Sequence, residues 1–151
     1  MGQNRSGETK KALAQARKSM KRSRLAVLLG FVPESIGAGK AVLRMDVKDR
    51  HRQLHEVVHG GVLAALADTA AAIAAYTVVP KGTAIATIEM KINFLLPVPH
   101  GRIRAEGTVL RAGRNFVVTE CEIRNAKREL VAKALLTFGA ARGHTMERSS
   151  D

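Results

Sequence analysis

The reading of this chain turns on 57-VVHGGVLAALADTAAAIAAY-76. The run rich in Ala and Leu favours a helix, because these side chains lose little freedom in one. It is apolar all round, so such a helix is expected to be covered on nearly every side. One carboxylate, Asp68, stands in its middle. The residues three and four positions away are Ala64, Ala65, Ala71 and Ala72, and none is a cation that can pair with it. An uncompensated buried carboxylate is costly, so Asp68 must face a polar cleft or receive donors from another segment. Unpaired acids in pockets of small residues are candidates for chemistry.

The same stretch opens on His59-Gly60-Gly61. His59 can simply precede or cap the helix, and the glycines can serve close packing or a tight turn. A functional reading stands beside these. The first N–H groups of a helix have no internal acceptor and carry partial positive charge. At Gly60 no side chain obstructs a ligand, so a carbonyl oxygen that gains negative charge can be held there. Gly60 and Asp68 are eight residues apart, about 12 Å along one helix. A group attacking a carbonyl carbon and a donor holding its oxygen must each approach within about 3–3.5 Å. One copy of the helix cannot serve one carbonyl with both, whereas two antiparallel copies side by side can. A catalytic site built on this pair is therefore shared between subunits of a dimer.

Segments on either side alternate as strands do. In 38-AGKAVLRMDV-47, Ala41, Leu43, Met45 and Val47 share a face. In 83-TAIATIEMKINFLL-96, the expected apolar face is Ala84, Ala86, Ile88, Met90, Ile92 and Phe94, opposite Thr87, Glu89, Lys91 and Asn93. The segments 102–111, 115–124 and 129–138 follow, with hairpin turns at 111–114 and 125–128. Successive strands with short links predict an α+β fold in which an antiparallel sheet wraps around one central helix. Before them, 25-LAVLLGFV-32 reads as the end of a helix packed on the domain. Its apolar run is short, is broken by Gly30, and leads into Pro33-Glu34 rather than a cleavage site.

Of the 151 residues, 46% are hydrophobic but only 3% are aromatic, so the core must be built from Ala, Val, Leu and Ile. The net charge is +12, and its distribution is uneven. Residues 1–24 hold eight basic side chains against one acid, which marks a basic N-terminal arm. Ala12, Leu13, Ala16 and Met20 line one face of that arm at helical spacing, which predicts an exposed basic helix. No aromatic residues are interleaved with the charge, so nucleic acid is not the expected partner. The chain divides into this arm (1–24), one domain (25–141) and a polar tail (142–151). The lone Cys121 falls in an alternating strand and reads as buried packing, and a single thiol with no CxxC fits a reducing compartment. The histidines show no ligand spacing, so no metal or other cofactor is expected. No apolar run nears the roughly 20 residues of a membrane span, and a cytoplasmic location is expected.

At these residues the chain resembles a known family. VVHGGVLAALADTA, followed by INFLLPV, AGR and ALLTFGAA, is similar to the hotdog-fold acyl-CoA thioesterases of the PaaI-like (phenylacetate-pathway) group over residues 25–141. The resemblance implies a curved antiparallel sheet around a long central helix, a homodimer with a shared active site, and assembly into a dimer of dimers. It implies that Asp68 is the nucleophile or general base on the thioester. The Gly60 N–H would polarise the carbonyl, with His59 beside it. Gln53 matches an Asn/Gln position whose amide orients water or thioester, and Thr87 a Ser/Thr position that holds the water. Asp68 and Thr87 would come from one subunit, Gln53 and Gly60 from its partner. Glu56 stands where relatives often have Gly. Coenzyme A carries several phosphate charges, and Arg111, Arg114 and Lys133 are candidates to meet them, alongside their plain reading as charges at strand ends. A non-catalytic acyl-CoA binder or sensor, or a nucleic-acid-associated protein using the basic arm, is the alternative on the same scaffold.

Overall fold

A 17-residue helix built mostly of alanine can lie close to whatever covers it. The computed structural model, which describes residues 2–142, shows how close. Two helices come first, α1 (Gly2–Met20) and α2 (Arg24–Leu29), then strands β1 (Val32–Gly37) and β2 (Lys40–Asp46). A single 3-10 turn (Asp49–His51) precedes the central helix α3 (Gly60–Tyr76). Strands β3 (Thr83–Phe94), β4 (Arg102–Ala112), β5 (Phe116–Arg124) and β6 (Leu130–Arg142) complete the domain. The six strands form one antiparallel sheet in the order β1-β2-β4-β5-β6-β3. The polar tail expected over 142–151 begins one residue too early, since Arg142 ends β6, and the rest of it lies outside the described residues.

Leu63, Leu66, Ala67, Ala70, Ala71, Ala74 and Ala75 of α3 are buried against the sheet. They meet Leu43, Met45, Ile103, Ala105, Ile123, Leu136 and Phe138, all at most 1% exposed. Closest approach falls at Gly107 in the middle of β4, where an added Cβ would lie 2.6 Å from the Ala70 carbonyl oxygen. Cys121 is fully buried on the same side, as expected. Burial, with Glu106 and other carboxylates adding to it, pushes its thiol up to about 12.

Four expectations need correction. Residues 32–37 form a strand that the sequence reading did not assign. Its apolar side chains, Val32, Pro33 and Ile36, do not alternate, and Pro33 lacks the N–H of an interior strand, which is tolerable because β1 is an edge. The helix α3 is not covered all round within one chain: Ala65, Asp68, Thr69, Ala72 and Ile73 are only half-buried and Tyr76 is exposed. The face of α1 marked by Ala12, Leu13, Ala16 and Met20 is not exposed. Met20 is buried, the other three pack against the core, and Arg17 Nε donates to the Pro33 carbonyl at 3.2 Å. Finally, the six residues expected to share one face of β3 do not. A bulge between Thr87 and Glu89 inserts Ile88 as an extra residue opposite β6. After it Met90 and Ile92 pack on the core, whereas Ile88 is 60% exposed and covers Gly139 on the other face.

The loop that delivers the chain to α3 is pinned by His51, which is 1% exposed. Its Nδ1 accepts from the Lys48 N–H at 3.0 Å, and its carbonyl accepts from the His59 N–H at 2.8 Å. Burial lowers the His51 pKa below 6.5, and the Arg50 charge adds to this, with the nearby Leu29 carbonyl opposing; the buried Nε2 has no hydrogen-bond partner among the described residues. The unfolded chain therefore takes up this proton first as pH falls. The stability His51 provides is complete above its unfolded value of about 6.5 and is lost as pH drops through the lower folded value. The melting temperature is expected to fall as pH drops below about 6.5. In His51→Asn, whose amide oxygen can still accept from Lys48, that slope should flatten in a thermal-melt series.

Candidate active site

The first turn of α3 is set by its cap. His59 has an extended backbone, its Nδ1 accepts from the Gly61 N–H at 2.8 Å, and its carbonyl accepts from Val62 at 2.9 Å. A side chain at Gly61 would crowd that ring, at 3.0 Å from Nδ1. Gly60 has its own steric reason: an added Cβ would lie 3.1 Å from the Phe94 ring, which stands over the helix start. The cap takes up the N–H groups that follow, and among the described residues the Gly60 N–H has no acceptor. It is the helix-start donor that remains open.

Two turns further along, Asp68 is half-buried. Its Oδ1 accepts from the Thr87 hydroxyl at 2.7 Å. The bulge in β3 accounts for this contact, because it shifts the strand's phase so that Thr87 lies on the helix side. Asp68 also borders a groove of about 1300 Å³ between α3 and α1. Neither Gly60 nor Gln53 lines that groove.

Gln53 is exposed in the loop before α3, and only its backbone is engaged: its N–H donates to Val57 at 2.8 Å and its carbonyl accepts from Glu56 at 3.0 Å. Glu56 has φ 60, the left-handed conformation that glycine adopts freely and other residues adopt at a cost. The loop thus keeps a glycine-like shape despite its glutamate. Arg111 and Arg114 are exposed at the β4–β5 turn. Lys133 lies on β6 with its ammonium between Glu120 (2.8 Å) and Glu122 (2.9 Å), and these two carboxylates raise its pKa. Its charge is answered within the sheet. One chain thus brings together Asp68 and Thr87, and His59 and Gly60, but not the two pairs. Among the described residues no cluster of His, Cys, Asp or Glu has the arrangement of a metal site.

A long helix wrapped by an antiparallel sheet defines the hotdog fold, and here the helix carries a carboxylate held by a hydroxyl beside a groove. Comparisons with known proteins agree. The family model of the Thioesterase superfamily matches residues 55–132. A putative esterase of Saccharolobus solfataricus is 37% identical over 97 residues, covering 64% of this chain and 69% of the relative. The solved structure of the E. coli PaaI protein is 30% identical with a TM-score of 0.81, covering 89% of this chain and 96% of that one. The Haemophilus influenzae thioesterase HI1161 is 27% identical with a TM-score of 0.82, covering 91% and 94%. The chain belongs to the thioesterase superfamily, in its PaaI-like hotdog group, and is a thioester hydrolase. Among the described residues no helix is long and apolar enough to cross a membrane.

Proposed function

We propose that this enzyme cleaves an acyl- or aryl-CoA to the free acid and coenzyme A in a site shared by two subunits, with Asp68 as base or nucleophile. The observation that carries the reading is the 2.7 Å bond from Thr87 to Asp68. It leaves the second carboxylate oxygen for the reaction and places a hydroxyl where a water can be held. In the base-assisted form, water oxygen attacks the thioester carbonyl carbon while Asp68 takes its proton. The oxyanion is held by the partner subunit's Gly60 N–H, and the proton then passes to sulfur as the C–S bond breaks. The partner subunit's Gln53 orients the thioester, and His59 acts by fixing the helix start. Arg111 and Arg114 are the better-placed cations for the coenzyme A phosphates, since Lys133 is already paired. No metal or other cofactor enters this scheme.

Two features support the dimer. β3 is a 12-residue strand at the sheet edge, and Phe94, Leu95 and Leu96 at its end are exposed. A long open edge invites pairing with a second copy. Exposed Ile88, Phe116 and Leu135 on the sheet's outer face suit a further pairing of dimers. The reaction is placed in the cytoplasm, where the free thiol of Cys121 stays reduced.

Subunit complementation tests the shared site. Asp68→Asn and Gln53→Ala chains are each expected to be poorly active. A mixed dimer rebuilds one complete site, so refolding the two together should restore thioester hydrolysis well above either parent. Mixtures that stay at the parents' level would place the whole site within one chain, and a wild type that binds acyl-CoA without releasing thiol would make the protein a binder.

A further inference from the structure

The groove beside Asp68 is larger than the reaction needs, and seven of its 17 lining residues come from outside the domain that the family resemblance covers. From Asp68 it runs along α3 past Ala72, Ile73 and Tyr76 to Thr77, nine residues or about 13 Å. Ile36 closes it from β1, and α1 forms the facing wall with Ala12, Ala16 and Met20. The hydroxyls of Thr69 and Thr77 are taken up internally, by the carbonyls of Ala65 and Ala74. The strip of α3 beyond Asp68 therefore offers a ligand mostly carbon. At about 1300 Å³ the groove exceeds the 300–1,000 Å³ usual for small-molecule sites. A single aromatic ring would leave most of it wet, whereas an extended aliphatic chain can follow its length.

We propose that this groove holds the acyl chain, that the substrates are thioesters of extended aliphatic acids, and that the N-terminal helix α1 sets how long a chain is accepted. The proposal rests on the thioesterase reading and names the substrate class of the same site. Each part has a physical reason. Asp68 stands at one end, where the carbonyl must be, so the chain beyond that carbon falls along Ala72 and Ile73. Apolar lining rewards each buried methylene by about 0.8 kcal/mol, which makes chain length a selectable property. The wall from α1 is anchored by the buried Met20 and by the Arg17 bond to the Pro33 carbonyl, while Ala12 and Ala16 are only half-buried where they border the groove, so a larger side chain there narrows it.

The test measures kcat/KM of the full chain for butanoyl-, decanoyl- and hexadecanoyl-CoA in wild type, Ala16→Phe and Ala12→Phe, with benzoyl-CoA as an aryl control on the wild type. Melting curves and size-exclusion chromatography run alongside, and two variants guard against one failing to fold. The wild type should favour the longer chains. Each folded variant should lower the ratio of hexadecanoyl to butanoyl kcat/KM at least tenfold. A ratio unchanged in both variants, with thioester hydrolysis intact, overturns the acyl assignment but leaves the thioesterase standing. An equal loss on all three substrates means the groove takes the shared coenzyme A portion, and loss of the dimer means it seats a second copy. Either result overturns the inference. A wild type that hydrolyses none of the thioesters, aryl-CoA included, removes the proposed function itself.

Discussion

Asp68→Asn is expected to lower kcat for thioester hydrolysis by about 10²–10⁴-fold, the range that general acid–base groups supply. Asn is nearly the same size and keeps an oxygen that can accept from the Thr87 hydroxyl, so the 2.7 Å contact survives. Lost are the negative charge and the ability to take a proton from water or to attack the carbonyl. The neighbours of Asp68 on α3 are alanines, so no ion pair on that helix is broken. The stability change should therefore stay below about 1 kcal/mol, a shift of about 2–4 °C in melting temperature. Thiol release followed with a chromogenic reagent measures turnover, and circular dichroism measures the fold. A variant that turns over at nearly the wild-type rate would remove Asp68 from the chemistry and leave the groove without a base.

The second large effect is on stability and falls at Gly107→Ala. An alanine Cβ there would lie 2.6 Å from the Ala70 carbonyl oxygen and 2.7 Å from the Ala71 nitrogen. Both are backbone atoms of α3, so no rotamer change relieves the contact. Either the helix lifts from the sheet or β4 bends away. Overpacking of this kind costs about 1–3 kcal/mol, and the rigid neighbour argues for the upper end. For a chain of this size about 3 kcal/mol corresponds to a fall of about 6–12 °C in melting temperature. Because α3 carries both Asp68 and Gly60, the displacement should also reduce activity. An unchanged melting temperature would show that helix and sheet are not held at this distance in solution.

The site is most legible in the sequence where a residue is out of place. Asp68 among alanines is an anomaly that composition alone exposes, and the structure places it half-buried against a hydroxyl. His59 and the two glycines read equally well as cap and packing residues, and the cap and packing contacts are present. The Thr87 contact was not readable from alternation, since uninterrupted alternation gives the core face to Ala84, Ala86 and Ile88 and turns Thr87 away from the helix; the bulge at Ile88 reverses this. Lys133 read as a free cation because the sequence does not reveal that Glu120 and Glu122 converge on it across β5 and β6. The groove wall from α1 left one trace, the apolar face of Ala12, Leu13, Ala16 and Met20 in an otherwise basic arm.

What the sequence by itself determined was local: a helix at 60–76 from its alanine run and its cap, five of the six strands from their alternation, and a packing mode that only small residues allow. These follow from preferences that act over a few residues. The tertiary structure decided the rest. It put β3 at the far edge beside β6 rather than next to β4, inserted the bulge that turns Thr87 toward Asp68, and folded the basic arm against β1 to make a groove. Each of these is a choice of partner between segments far apart in the chain. Such choices are settled by how surfaces fit and by which hydrogen bonds remain to be made, and neither is written in the period of any one segment.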